Sequence, residues 1–236
     1  MSDTLRVACV AGASGSVGSE ISRGLLENGW HVGLLYRSAR HQLDLRNRFA
    51  KYGDRAMPVQ VNATVSSSVQ QAIQRIEAEW GALHVLVNAI GGWLGGKRLH
   101  EHTDAELNRM LDMDLRPAFH LMQAVLPVML RQNRGKIIHF VSLTPLYDGA
   151  MSAVYAASKA GVIALTRAAA KEYRADGIQV YALAPGTIDT EKNRQAMPDV
   201  DRSTWVPVRE LVEAALFLAE GGDALSGTVF EFRGVK

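Results

Sequence analysis

Seven short β-branched runs recur along this chain with amphipathic stretches between them, and few folds accommodate that alternation. The runs are Arg6–Ala11, His31–Tyr36, Ala56–Val61, Val85–Asn88, Lys136–Val141, Gln179–Ala184 and Thr228–Phe232. Repeated βα units of this kind predict a mainly parallel sheet flanked by helices. Val69, Ala72, Ile73, Ile76 and Trp80 fall on one helical stripe behind the cap-like Ser66-Ser67-Ser68. Val208, Leu211, Val212, Ala215 and Leu218 repeat the pattern after Pro207, and Gly221-Gly222 reads as the stop. A helix from about Val154 to Asp176 carries Ala156, Ala157, Ala160, Gly161 and Ala164, small residues that permit close packing. No linker, repeat or low-complexity segment interrupts the series. The expectation is one doubly wound α/β domain over residues 1–236.

Composition narrows the function classes. The chain is 47% hydrophobic and 21% charged with a net charge of +2, which gives no electrostatic case for nucleic acid or a membrane surface. No apolar run reaches the roughly 18 residues needed to span a bilayer. The N-terminal Met1-Ser2-Asp3-Thr4-Leu5-Arg6 lacks the layout of a signal peptide. The single cysteine, Cys9, lies in an apolar run and reads as a buried structural thiol. The expected compartment is the cytoplasm.

Two local patterns carry chemistry. The first run leads into Ala11-Gly12-Ala13-Ser14-Gly15-Ser16-Val17-Gly18 and then a helix. Glycines at such a turn let the backbone approach a pyrophosphate, whose charge then sits on the helix N-terminus. Tight βα turns also use glycine for steric reasons alone, so the loop gains its meaning from standing on the first βα unit. The second pattern is Tyr155 and Lys159, one helical turn apart, with Ser142 thirteen residues before the tyrosine. An unpaired phenol titrates near about 10. A cation about 4 Å away, at an effective dielectric of about 20, is worth roughly 4 kcal/mol at most. That is enough to bring the phenol toward neutrality, where a general acid/base is most useful.

These motifs, with Asn88-Ala89-Ile90-Gly91 after the fourth run and Pro185-Gly186 after the sixth, resemble the short-chain dehydrogenase/reductase family over nearly the whole chain. The resemblance implies a Rossmann-type sheet of seven strands, an NAD(H) or NADP(H) cofactor, and a homotetramer or homodimer. It places Gly12, Ser14, Gly15, Val17 and Gly18 at the pyrophosphate, with Ser16 where the family pattern has its middle glycine. Asn62 and Ala63 would flank the adenine, where the family more often has an aspartate. Asn88, Ala89, Ile90 and Gly91 would line the cofactor edge. Beyond Pro185 and Gly186, Ile188 and Thr190 would meet the carboxamide.

Charge at the end of the second run bears on cofactor choice. An acidic residue there accepts hydrogen bonds from the ribose hydroxyls of NAD and repels a 2′-phosphate. Here the place is held by Tyr36, then Arg37, with Ser38 and Arg40 behind. A guanidinium can bind a phosphate bidentately, so NADP(H) is expected to be preferred, with NAD(H) still admitted. The competing reading of Arg37 is a solvated strand-end cation.

The resemblance also implies the catalytic roles. Ser142 would hydrogen-bond the substrate oxygen, Tyr155 would pass the proton, and Lys159 would tune the tyrosine and hold the nicotinamide ribose. Many relatives carry an asparagine in the preceding helix that links the lysine to solvent through water. Asp114, in Leu111-Asp112-Met113-Asp114-Leu115, stands at that place. A carboxylate can keep the relay while offsetting part of the lysine's potential; the alternative is a solvated helix residue and no relay.

On the substrate side, the segments Gly91–Gly96, Leu143–Met151 and the stretch after Thr190 should frame the pocket. The last suits a lid over about residues 190–207, with Met197 and Trp205 closing on the substrate beside Trp93. Packing of Trp93 and Trp205 against helices or a second subunit is the other reading. The G-G-W segment and the N-R-x-x-M-P tail resemble the dihydropteridine reductases, a branch that typically lacks the serine and favours NADH. Three functions follow from the resemblance: an NADP(H)-dependent ketone reductase or alcohol dehydrogenase, including 3-oxoacyl thioesters; a pterin reductase; and a non-catalytic NADP(H) sensor. Helices over Asp104–Arg131 and Val154–Asp176 commonly form a dimer contact in relatives, and Leu115, Phe119, Met122 and Val125 supply an apolar stripe for it or for the sheet.

Overall fold

The apolar run Val7–Ala11 (β1) is buried at every residue, because alternate side chains face two different layers. Glycine at 12 ends it, and α1 (Ser16–Glu27), β2 (His31–Tyr36), α2 (Arg40–Phe49), β3 (Ala56–Gln60), α3 (Ser66–Trp80) and β4 (Val85–Asn88) follow. A long helical stretch made of α4 (Asp104–Met110), a π-helical turn (Leu111–Leu115) and α5 (Arg116–Gln132) leads into β5 (Gly135–Phe140). Next come α6 (Thr144–Tyr147), α7 (Ala153–Glu172), β6 (Ile178–Pro185), β7 (Ile188–Asp189), α8 (Glu191–Ala196), β8 (Val206–Pro207), α9 (Val208–Glu220) and β9 (Val229–Phe232). This computed structural model describes residues 5–147 and 149–234. Met1–Thr4, read above as part of a leaderless N-terminus, and Asp148, within the substrate-side segment, lie outside the described residues, as do residues 235 and 236.

Seven strands form one sheet in the order β3-β2-β1-β4-β5-β6-β9, every neighbour parallel. The order reverses between β1 and β4, which leaves a crevice beyond the carboxyl ends of those two strands. Val7, Cys9 and Ala11 pack against α3 and α5 through Val69, Ile73, Ile76, Leu121 and Val125. Ala8 and Val10 face the other layer, with Ile21 and Leu25 of α1 and Leu211, Ala215 and Leu218 of α9. Burial also raises the Cys9 thiol pKa through desolvation, which suits its packing role.

Four local expectations are corrected. The stretch Asp104–Arg131 is not one α-helix: its middle is the π-helical turn, and that turn carries Asp114. The serines 66–68 do not cap α3. Val65 is the N-cap without a side-chain bond, and the Ser68 hydroxyl instead accepts the Asn62 amide at 3.0 Å. The apolar stripe divides, because Met122 and Val125 are buried in the core while Phe119 is 49% exposed. Finally, α7 stops at Glu172 rather than Asp176. Its end is set by Gly177, whose φ of +72° turns the chain into β6 with Ile178 N–H donating to the Tyr173 carbonyl at 3.2 Å.

Gly177 is therefore a position where only glycine fits. A Cβ there would press on the backbone carbonyl of Asn133, at 3.3 Å from its carbon and closer to its oxygen. Gly177→Ala is expected to cost about 1–3 kcal/mol. That corresponds to a thermal midpoint lower by roughly 2–4 °C per kcal/mol for a chain of this size. An unchanged melting curve would contradict the left-handed turn.

Candidate active site

The crevice between β1 and β4 is shaped by close backbone contacts. Gly12 has a φ of +87°, and a Cβ there would lie 2.9 Å from the Ala89 carbonyl oxygen. A Cβ on the buried Gly18 would press on the Gly12 carbonyl, 2.8 Å from its carbon. The loop therefore folds onto both α1 and the end of β4 only with hydrogens at these places. Gly15 caps α1 and no side chain bonds to the helix start, so its first amides are presented to the crevice, where they suit an anion. Ser16 is exposed as the first residue of α1 and so offers its own amide at that end.

A cleft of about 240 Å³ follows, lined by Gly12, Ser14, Gly15, Tyr36, Arg37, Asn62, Ala63, Ala89, Ile90 and Gly91 among others. Val17 packs instead against the core on the α1 side. No carboxylate stands at the end of β2: Tyr36 is buried and Arg37 is exposed. The Arg37 guanidinium forms no ion pair among the described residues, while its carbonyl accepts from Gln60 Nε2 at 3.2 Å. Ser38 starts the turn into α2 by accepting the His41 amide at 2.9 Å. The acidic lining residue Asp112 is neutralised by Arg116 at 2.6 Å. These residues fit a phosphate-bearing dinucleotide. Asn62 folds its own turn, its Oδ1 accepting from Thr64 N at 3.2 Å and Thr64 Oγ1 at 2.8 Å. Asn88 is buried, accepting the Ile90 amide at 3.2 Å and meeting His139 Nδ1 at 3.3 Å.

Beside this cleft the structure brings together Ser142, just past β5, and Tyr155 and Lys159 on α7, all three buried. The Ser142 hydroxyl accepts the Thr144 amide at 3.2 Å and lies 3.1 Å from Thr144 Oγ1. Lys159 Nζ donates to the Phe140 carbonyl at 3.1 Å and pairs with Asp114 Oδ1 at 3.1 Å. Asp114 is not the solvated residue that one reading allowed, being 1% exposed. Its Oδ1 also accepts the Gly92 amide at 3.3 Å, and its Oδ2 accepts from Ser158 Oγ at 2.7 Å. Gly91 lies directly on this ion pair: a Cβ would sit 2.7 Å from Lys159 Nζ and 3.0 Å from Asp114 Oδ1.

In the free protein the surroundings of the tyrosine act against the lowering expected from its spacing to Lys159. Tyr155 is pushed up to about 12, first by burial and further by the Asp114 carboxylate, against a lowering hydrogen bond with Ser142. The main cause is the burial of the phenol itself, and the Asp114 carboxylate that pairs with the ammonium adds to it. The free protein thus holds a protonated phenol next to a serine hydroxyl, an arrangement suited to giving a proton to an oxygen that gains negative charge.

The outer wall is less uniform. Trp93 is 64% exposed. Trp205 is 5% exposed, so in this conformation it anchors the tail rather than covering a ligand. Both ends of the 190–207 segment are held, by Ile188 paired with Val206 and by Thr190, whose hydroxyl accepts the Asn193 amide at 3.2 Å. Met197, at the end of α8, is half-buried between these anchors. Pro185 and Gly186 join the last strand, with Gly186 N donating to the Phe232 carbonyl at 2.9 Å. Sequence reasoning missed Ser158, Met113 and Pro117. Ser158 had a usable signal, being the neighbour of Lys159 on the helix; Met113 and Pro117 enter the cleft only through the π-helical turn.

The comparisons with known proteins agree with this geometry. A family model for the short chain dehydrogenases matches residues 6–201. A 3-oxoacyl-[acyl-carrier-protein] reductase, FabG, of Staphylococcus epidermidis is 31% identical over 194 residues, covering 82% of this chain and 79% of the relative. A gluconate 5-dehydrogenase from Burkholderia cenocepacia J2315, solved in complex with NADP and tartrate, superposes with a TM-score of 0.88 at 30% identity. That match covers 97% of this chain and 94% of the neighbour. ElxO with NADP bound shares the fold at a TM-score of 0.91 and 24% identity, over 97% of each chain. With a family match across most of its length and a serine, a tyrosine and a lysine gathered beside a glycine-lined crevice, this chain belongs to the short-chain dehydrogenase/reductase family of oxidoreductases.

Proposed function

We propose that this protein is an NADP(H)-dependent carbonyl reductase, working on a ketone such as a 3-oxoacyl thioester, with the reverse alcohol oxidation available. The observation that carries the reading is Ser142, Tyr155 and Lys159 beside a cleft whose β2 end bears Arg37 and no carboxylate. The relative that is a 3-oxoacyl thioester reductase and the neighbour solved with NADP support it. When bound, the reduced nicotinamide supplies a hydride to the carbonyl carbon. Ser142 donates a hydrogen bond to the carbonyl oxygen as it becomes negative, and Tyr155 delivers the proton that makes it an alcohol. Lys159, fixed by Asp114 and the Phe140 carbonyl, holds the ribose side of the site. Ile188 and Thr190 would contact the carboxamide.

The exposed ring of Trp93 favours a second reading, reduction of a flat pterin against that indole. Turnover with 3-oxoacyl thioesters but not with quinonoid pterins separates the two. A non-catalytic sensor would bind NADP(H) and turn over neither. Among the described residues, no helix is long and apolar enough to cross a membrane. We place the protein in the cytoplasm as one domain with a lid over residues 190–207, assembled as a homotetramer or homodimer through the exposed Phe119 face of α5.

Three measurements test this reading. Arg37→Ala should weaken NADP(H) binding about 10- to 100-fold, the worth of a lost charge-assisted contact, with NAD(H) binding nearly unchanged. Equal losses for both cofactors would reject the 2′-phosphate role. Tyr155→Phe should bind cofactor normally and lose about 10²- to 10⁴-fold in kcat; undiminished turnover would remove the tyrosine from the chemistry. Asp114→Asn takes away a charge that raises Tyr155. Reduction needs the protonated phenol and falls as pH rises through its pKa, so the alkaline limb of kcat/KM should move toward acid. A stationary limb would contradict the electrostatic role of Asp114.

A further inference from the structure

Ser158 is fully buried between Tyr155 and Lys159 on α7, and its hydroxyl meets the same carboxylate that pairs with Lys159. Its Oγ lies 2.7 Å from Asp114 Oδ2 and 2.8 Å from the Tyr155 carbonyl oxygen. A hydroxyl has one proton to give, and the carboxylate is the stronger acceptor. The two oxygens of Asp114 are thereby divided. Oδ2 faces Ser158, which turns Oδ1 toward Lys159 Nζ and the Gly92 amide. The π-helical turn brings the carboxylate to α7 at this level, and π-turns recur where a side chain is re-aimed at a functional site.

We infer that Ser158 is a positioning residue for proton transfer: its hydroxyl holds the Asp114 carboxylate against Lys159 and so sets the charge balance felt by Tyr155. The inference rests on the reading of Tyr155 as proton donor but concerns a residue outside the Ser142, Tyr155 and Lys159 set. Among the described residues the carboxylate acts on Lys159 and Tyr155 of α7; Asp112 on its own turn is paired with Arg116, and His139 on β5 feels Lys159. His139 is pushed down to about 3 by burial and by Lys159, and so stays neutral through the range of interest. The segment after β4 contributes an uncharged donor to the carboxylate, the Gly92 amide. Without the Ser158 hydroxyl, Oδ2 loses its donor, the carboxylate can turn, and Lys159 exerts more of its positive potential on the phenol.

The test is an ultraviolet difference titration of tyrosinate in the free protein, each variant measured against its Tyr155→Phe counterpart. Ser158→Ala is expected to move the Tyr155 ionisation to lower pH by about half a unit or more. Ser158→Cys keeps the volume with a weak donor and should titrate like the alanine variant, so a folding defect peculiar to one variant does not decide the matter. In an Asp114→Asn background neither change should move the titration further, because no carboxylate charge is left to place. A titration unchanged by Ser158→Ala, or moved equally in both backgrounds, would overturn the inference. Turnover of acetoacetyl-CoA with NADPH is followed in parallel. Absence of turnover in the unaltered protein would sink the reductase reading, whereas the titration alone decides the role of Ser158.

Discussion

A buried ammonium and a buried carboxylate, Lys159 and Asp114, meet at 3.1 Å between the helix that carries the tyrosine and the π-helical turn below the cleft. Their side chains are 6% and 0% exposed. Two charges taken so far out of water are tolerated only when paired and otherwise hydrogen-bonded. The surrounding residues meet that demand: Ser158 and the Gly92 amide serve the carboxylate, and the Phe140 carbonyl serves the ammonium. Gly91 has no side chain because one would collide with the pair. The pair thus ties α7, the π-turn, the end of β5 and the loop after β4 into one rigid corner. The lysine's charge is thereby shared, and the phenol one turn away, itself buried, is held above the ordinary phenol range.

The sheet explains why this corner lies where it does. Strand order reverses between β1 and β4, and helices leave in opposite directions from that point. Gly12 approaches the Ala89 carbonyl and Gly18 the Gly12 carbonyl, so the crevice floor is backbone and can accept a pyrophosphate without side chains in the way. Arg37 stands at the far end of that floor and the Ser142 hydroxyl at the near end. The glycine-lined cleft and the Ser142, Tyr155 and Lys159 cluster therefore sit at one sheet edge, while the apolar layers below come from alternate residues of the same strands.

Much of this was legible in the residues. The seven runs became the seven strands to within a residue or so at each end, because buried parallel strands such as β1, β4 and β5 need near-continuous apolar sequence. Ser142, Tyr155 and Lys159 came together because their spacing is local to β5 and α7. What was not legible depends on contacts between elements or on backbone register. The π-turn leaves no side-chain signature, so Asp114 read as either a relay or a solvated residue. The Tyr155 environment was legible in part: the residues show Asp114 offsetting the lysine's charge, but not that the phenol itself is buried. The end of α7 was overrun because Ala175 and Asp176 are compatible with a helix, and only the left-handed Gly177 stops it. Trp205 looked like a lid aromatic by composition; its burial follows from the β7 and β8 pairing that brings residue 206 back beside 188.

The account turns on whether one phenol in the free protein keeps its proton through the physiological range. Carbon-13 labelling of tyrosine Cζ, with the Tyr155 signal assigned by its loss in Tyr155→Phe, reports that ionisation directly as pH is raised. A signal that stays in the protonated position beyond the ordinary phenol value of about 10 is the result required by a buried phenol beside a lysine that a carboxylate compensates. A signal that titrates near neutral pH would show that Lys159 acts on the tyrosine with its full charge, and the central role given to Asp114 would fall.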